Sequence, residues 1–215
     1  MLRENTDYAS ILENRYDNAL PEARALYDRY KEHIKVSDVD TQTGARYSSG
    51  AGDVTVNITE DARSNPESGW VYYHEVGHLI DDQMKDGQGN GSISDSEAFG
   101  NALRNDFDNY VTNYMAENGI TNREDAYTAI GQMMKSDADR YKGVSDVYGG
   151  LSQNQVSGGW GHSNDYWSGS TNAVNHEAFA HMFEASMGGD PKALEYIKEM
   201  LPTAYEEFLR LIEAA

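Results

Sequence analysis

Residues 72–82 read YYHEVGHLIDD, with two histidines four positions apart and a glutamate directly after the first. On a helix, His74 and His78 lie one turn apart on the same face, so their ring nitrogens can bind one ion. Glu75 lies beside this pair, where its carboxylate can take a proton from a water on the metal. The H-E-x-x-H pattern therefore favours a zinc site with a catalytic base. The alternative is a pair of core histidines near a surface glutamate.

A zinc site needs at least a third protein ligand, and two glutamates are candidates. Glu97 lies 19 residues beyond His78, at the start of the next predicted helix, a spacing similar to that of thermolysin-type enzymes. Glu177 lies far downstream on a predicted helix that carries Glu177, His181 and Glu184 as one polar stripe. A metal ligand with a polar neighbour one turn away would explain this stripe. A solvent-facing side of the helix is the alternative.

The composition limits what kind of protein this is. The chain has 215 residues, 39% of them hydrophobic, which predicts a single domain spanning residues 1–215. Without cysteine, a metal must be held by histidine, aspartate or glutamate. The formal net charge of −19 repels phosphate backbones, so we expect no nucleic-acid partner. No long apolar run and no signal-peptide pattern is present, so we expect no membrane association and a cytoplasmic location.

Hydrophobic periodicity predicts an α+β order of elements. Two helices occupy the first 34 residues, and three short strands follow at KVSDV, ARYSS and DVTVNIT. The HEVGH helix is predicted to start around Asn65, Pro66 and Ser68 and to end near Met84. The remainder is mostly helical. Its predicted boundary residues are Gly119, Thr121, Gly188, Gly189, Pro191 and Pro202.

The segment between Gly143 and Gly169 is rich in glycine, serine and aromatic residues and shows little periodicity. This composition predicts a long irregular loop, and such loops in compact domains are often functional. Hydrolysis of a peptide needs a hydrogen-bond donor for the developing oxyanion. Tyr166 is our candidate for this donor and His162 is the alternative. Trp160, Tyr166 and Trp167 could instead only pack the loop onto the core.

Two motifs, HEVGHLID and EAFAHMFEA, resemble the zincin pattern of anthrax lethal factor-like proteases, in which a glutamate of an E-x-F-A-E-x-F helix completes the zinc site. The longer series YYHEVGHLID, VSDVYGGL, GGWGHSNDYW, EAFAHMFEA and LPTAYEEF resembles the metallopeptidase-like domain at the C-terminal end of phage minor head (head morphogenesis) proteins. This second resemblance covers most of the chain, from about Pro21 to the end. One departure is visible, because His181 stands at the second acidic position of the lethal-factor helix.

The resemblance implies a zincin-like fold with a small sheet, an HExxH helix and a mostly helical C-terminal half. It implies Zn²⁺ bound by His74, His78 and Glu177, with Glu75 as the general base. Asp81 would accept the free ring N–H of a ligand histidine, unless it is only a surface acid. His176 is rotated about 100° from Glu177 on the helix and is not expected to be a ligand. His33 has no evident partner and is expected at the surface.

The function that the resemblance implies is zinc-dependent hydrolysis of a protein or peptide substrate by a gluzincin-type metalloendopeptidase associated with a phage or prophage. Phage head proteins would be possible partners, and the location would be cytoplasmic or virion-associated. One alternative is a non-catalytic, zinc-stapled module of a phage head protein, and another is a toxin-type protease of a mobile element. Glu75 favours catalysis, because a structural zinc site has no use for a base beside its ligand.

Overall fold

A computed structural model describes residues 6–38, 45–48, 52–64, 68–84 and 91–214 of the chain. The chain forms two compact units. The first unit comprises Met1–Ile93, Phe179–Pro191 and Leu211–Ala215, and the second comprises Ser94–Ala178 and Lys192–Arg210. The described residues are mostly helical and include one small three-stranded sheet, in agreement with the predicted α+β class.

The first unit contains the sheet and the HEVGH helix. The central strand, β3 (Asp53–Val56), pairs in parallel with β1 (Lys35–Asp38) and antiparallel with β2 (Arg46–Ser48). The HEVGH helix, α4 (Trp70–Met84), lies against β2 and β3. A 3₁₀ turn at Lys31–His33 leads into the first strand. In chain order the elements are α1 (Thr6–Asn18), α2 (Pro21–Tyr30), β1 (Lys35–Asp38), β2 (Arg46–Ser48), β3 (Asp53–Val56), α3 (Ile58–Arg63) and α4 (Trp70–Met84).

The third strand is shorter than predicted. It ends at Val56, because the side chain of Asn57 accepts a hydrogen bond from the Glu60 backbone N–H at 3.0 Å and caps α3. Val54, Val56 and Ile58 are all buried, as the alternation predicted, but Ile58 already belongs to the helix. The strand prediction for DVTVNIT was therefore wrong from Asn57 onwards.

A carboxylate from α3 satisfies the N-terminus of α4. Asp61 accepts the backbone N–H groups of Val71 at 3.0 Å and Tyr72 at 3.3 Å, and also the Tyr8 hydroxyl at 2.5 Å. Burial raises the pKa of the Asp61 carboxyl, so its contribution to the free energy of unfolding falls as the pH rises through that pKa. The predicted end at Met84 is confirmed, whereas Asn65 and Pro66 lie outside the described residues.

The second unit is a set of helices. Within it α6 (Arg123–Lys135) packs against both α5 (Glu97–Asn118) and α7 (Ala138–Ser152), and α5 also contacts α7. The continuous helix α9 (Ala173–Ser186) begins in the second unit and continues into the first from Phe179. The helices are α5 (Glu97–Asn118), α6 (Arg123–Lys135), α7 (Ala138–Ser152), α8 (Asn164–Gly169), α9 (Ala173–Ser186), α10 (Pro191–Met200) and α11 (Pro202–Ala214). No helix in the described ranges is both long and apolar enough to cross a bilayer.

Most predicted helix boundaries after α4 are confirmed. Gly119 ends α5 in the left-handed conformation, and Pro191 and Pro202 open the last two helices. Gly188, with φ +69°, follows the end of α9. The predicted cap Thr121 was wrong, because the side chain of Asn122 accepts the Glu124 backbone N–H.

The irregular segment is shorter than predicted, since α7 extends to Ser152 and α8 occupies Asn164–Gly169. The C-terminal part of α7 was not predicted as a helix, because its glycines lower the helix propensity of the sequence. Two of them allow close contacts: a Cβ at Gly149 would lie 2.8 Å from Asn154 Oδ1, and a Cβ at Gly150 would lie 2.6 Å from a methyl of Val174. Gly149 and Gly150 therefore allow a helix to pack closely against its neighbours and do not mark a loop.

Within the first unit α4 and α9 come very close at Gly77. A Cβ atom at this position would lie 2.8 Å from the Cα atom of Ala180 and 3.2 Å from its carbonyl oxygen. Real Cβ atoms do not approach backbone atoms this closely, so the two helix backbones touch where α4 has no side chain.

We expect Gly77→Ala to lower the free energy of unfolding by about 1–3 kcal/mol, because the added methyl must push α9 away. Urea unfolding of the metal-free protein measures this change. Gly169→Ala is the control, since no atom lies within 4 Å of a Cβ there. An equal response of the two variants would contradict the close approach of α4 and α9.

Candidate metal centre

The two histidines of the HEVGH motif lie together on α4. Their Nε2 atoms are 3.2 Å apart, and their rings meet at a 90° interplanar angle. His74 is 7% exposed and His78 is partly buried. Two imidazole nitrogens this close can bind one ion from the same side, as the spacing predicted.

The polar stripe of α9 faces protein rather than solvent. Glu177, His181 and Glu184 are all buried, so a solvent-facing side does not explain the stripe. In the first unit the His181 ring lies 4.4 Å from the His74 ring, measured between centroids. Glu177 lies one turn before His181 on the same continuous helix. The stripe therefore places a histidine of α9 against the histidine pair of α4.

Glu184 is bound by a buried arginine of α1. Arg15 forms an ion pair with the Glu184 carboxylate at 2.7 Å and donates to the Glu184 and Met187 carbonyl oxygens at 2.8 and 3.2 Å. It also donates to the Ser68 carbonyl at 3.4 Å and lies over the Tyr73 ring. The burial of Arg15 was not predicted, because a single arginine in an amphipathic helix gives no signal of burial.

In the second unit the structure brings together Tyr166, His162 and Glu177. The Tyr166 hydroxyl donates a hydrogen bond to Glu177 Oε1. The His162 ring stacks on the Tyr166 ring, with 3.9 Å between centroids and 20° between planes. Tyr166 is 41% exposed and Trp160 is 46% exposed, so neither is buried in the core. Both oxyanion candidates thus lie in the same unit as the candidate third ligand.

The burial of Asp146 on α7 was not predicted either. Its carboxylate accepts hydrogen bonds from His162, which anchors the segment before α8. The only local signal is an aspartate flanked by Val144 and Val147, both buried on the same helix.

Two acids of α4 are buried beside the histidine pair. Glu75 and Asp81 have almost no exposed surface. The alternatives of a surface glutamate at 75 and a surface acid at 81 are therefore wrong. A carboxylate held in a poorly hydrated position beside a histidine pair is the environment expected for a general base or a partner of a ligand.

The alternative third ligand Glu97 and the histidines not expected to be ligands have other surroundings. His176 Nε2 lies 2.8 Å from Asp95 Oδ1, so this histidine pairs with the segment before α5. Glu97 is an exposed first residue of α5, directly after the cap Ser96, whose hydroxyl accepts the Phe99 backbone N–H. His33 is exposed, as expected.

Buried histidine, glutamate and aspartate side chains in the described part of the chain form groups that could hold a metal ion. The chain has no cysteine, so the donors are imidazole nitrogens and carboxylate oxygens. This donor chemistry fits Zn²⁺ in the type of site that leaves a coordination position open.

Comparisons with protein-family models, with curated proteins and with solved structures find no match to this chain. The class of protein is therefore defined by its own residues: an α+β protein with buried histidine and carboxylate groups suited to a metal ion.

We expect Arg15→Met to lower the free energy of unfolding by about 3–5 kcal/mol, because it leaves the Glu184 carboxylate buried without its cation. Urea unfolding followed by tryptophan fluorescence provides the measurement. Arg29→Met, on the exposed side of α2, is the matched control. The double variant Arg15→Met/Glu184→Leu should recover part of the loss. A loss in Arg15→Met no larger than in the control would contradict the role of the ion pair.

Proposed function

We propose that this chain is a zinc-dependent peptidase of the gluzincin type, with His74, His78 and Glu177 as zinc ligands and Glu75 as the general base. The observation that carries this proposal is the histidine pair on α4, with Nε2 atoms 3.2 Å apart and the buried Glu75 beside it. A core histidine pair would not need a buried acid next to it, whereas a hydrolytic metal site does.

The choice of Glu177 over Glu97 rests on burial and on the helix that carries it. Glu177 is buried and accepts the Tyr166 hydroxyl, whereas Glu97 is exposed. Glu177 also precedes by one turn the histidine of α9 that contacts His74. Two imidazoles and one carboxylate are the protein ligands expected of a catalytic zinc site.

In this proposal the zinc, when bound, polarises the scissile carbonyl and makes a water molecule more acidic. Glu75 accepts the proton of the attacking water and passes it to the leaving amine. The Tyr166 hydroxyl, which donates to Glu177 in the structure, would turn this hydrogen bond to the developing oxyanion. His162 is the alternative donor in its protonated form, because the Nδ1 hydrogen of the neutral ring faces Asp146. Asp81 accepts a hydrogen bond from the ring N–H of a ligand histidine and so fixes the tautomer of that histidine.

The link to a phage or prophage rests on the motif resemblance alone, as do phage head proteins as partners and a cytoplasmic or virion-associated location. The second candidate function is a zinc-stapled structural module of a phage head protein. The burial of Glu75 counts against it, because a structural site gains nothing from a buried acid beside its ligands. A toxin-type protease of a mobile element would use the same chemistry on another substrate.

Protein purified without added metal is expected to contain one zinc per chain by elemental analysis. Acid should release this zinc, because the ligands bind as neutral imidazoles and a carboxylate. A zinc content near zero that added zinc does not raise would contradict both the peptidase and the stapled module.

The third ligand is tested by comparing Glu177→Ala with Glu97→Ala. We expect Glu177→Ala to weaken zinc binding at least 100-fold, because it removes a ligand, and Glu97→Ala to bind zinc like the wild type. Competition with a chromophoric chelator measures both affinities. The reverse pattern would assign the third ligand to Glu97.

Glu75→Gln is expected to keep the fold and the zinc but to reduce hydrolysis of fluorescein-labelled casein by at least 100-fold, since only the base is lost. Asp82→Asn, on the same helix, is the control of equal charge change. Casein hydrolysis by Glu75→Gln at the wild-type rate would disprove the mechanism. Full zinc binding without any casein hydrolysis by the wild type would favour the stapled module.

A further inference from the structure

The segment between α7 and α8 is fixed to α7 by Ser145. The Ser145 hydroxyl donates to the Trp160 carbonyl at 2.6 Å and accepts the Gly158 backbone N–H at 3.0 Å. A Cβ at Gly158 would lie 2.6 Å from this hydroxyl, so the backbone lies directly on the helix. Gly161, with φ +146°, supplies the backbone conformation that leads from Trp160 to His162.

The next residue of α7, Asp146, holds His162 by backbone and side chain together. Asp146 is 3% exposed, and its Oδ1 accepts the His162 backbone N–H at 2.7 Å. Its Oδ2 and Oδ1 lie 2.9 and 3.1 Å from the His162 Nδ1 atom. An ionised carboxylate only accepts hydrogen bonds, so the hydrogen of a neutral His162 ring belongs on Nδ1 and the lone pair on Nε2.

His162 in turn supports Tyr166. The two rings stack with 3.9 Å between centroids, and the Tyr166 hydroxyl reaches Glu177. The His162 side chain is 39% exposed, so a ligand can reach this ring although Asp146 beneath it is buried. Asp146 thus fixes the plane of the His162 ring, and the Tyr166 ring stacks on this plane.

We propose that Asp146 is a positioning residue: it holds His162 in the Nδ1–H tautomer and so fixes the ring on which Tyr166 stacks beside Glu177. The role of Tyr166 in hydrolysis rests on the proposed peptidase function, whereas the tautomer does not.

The tautomer is tested by NMR on metal-free, ¹⁵N-labelled protein at a pH at which the ring is neutral. Long-range ¹H–¹⁵N spectra separate the protonated from the unprotonated nitrogen of each of the six histidines, and His162→Gln assigns the signals. We expect the wild type to show His162 as the Nδ1–H tautomer. Asp146→Asn removes the charge and one of the two acceptor oxygens, so it should shift the ring to a mixture of tautomers.

Asp165→Asn is the control, because it makes the same charge change at an exposed position of α8. It should leave the His162 signals unchanged. An Nε2–H tautomer or a mixture in the wild type overturns the proposal whatever the variants do, including a failure of Asp146→Asn to fold. An unshifted tautomer in a folded Asp146→Asn also overturns it.

Hydrolysis of fluorescein-labelled casein tests the consequence for the site. Asp146→Asn and His162→Gln should each lower kcat/KM by about 10–100-fold at unchanged zinc content, and the double variant should lose no more than either single one. Losses that multiply would show that Asp146 does not act through His162, which overturns the positioning role. If the wild type does not cleave casein, the peptidase proposal fails for this substrate, and the NMR result still decides the tautomer.

Discussion

The position of the C-terminal end of α9 depends on the contacts that the buried guanidinium of Arg15 makes there. A cation removed from water must be neutralised and must have its N–H groups accepted. The carboxylate of Glu184 supplies the charge, and the carbonyls of Glu184 and Met187 supply acceptors at the negative end of the helix. Gly188 follows directly, where a Cβ would lie 2.1 Å from the Arg15 carbonyl oxygen. The end of α9 is thus fixed in position along α1.

The fixed end matters because α9 is one continuous helix with a buried polar stripe. Once Glu184 is held, the rise and rotation of the helix determine where His181 lies within the first unit. On α4, the side chain of Asp61 satisfies the first N–H groups in the same way. Histidines and carboxylates borne on anchored helices are held more precisely than residues on free loops. The irregular residues 158–162 are likewise hydrogen-bonded to α7.

Local sequence signals predicted much of this structure. The helical spacing of His74 and His78, the glycines at 119 and 188 and the prolines at 191 and 202 act over one turn of chain, so they can be recognised without the fold. Arg15, Asp61 and Asp146 could not be recognised in this way. Their partners are distant in sequence or depend on tertiary packing, and a charged residue is expected at the surface until a partner is known.

The close approach of α4 and α9 at Gly77 also has a consequence for how such a chain can change over evolutionary time. The space between Gly77 and Ala180 is already filled, because a Cβ at position 77 has no room beside the backbone of position 180. A larger residue at either position would separate the helix that carries the histidine pair from the helix that carries His181. No side-chain change at position 180 can make room for a Cβ at position 77, because the atoms in the way include the Cα and the carbonyl oxygen that every residue has. Relatives of this chain that keep the two helices in contact should therefore keep glycine at position 77.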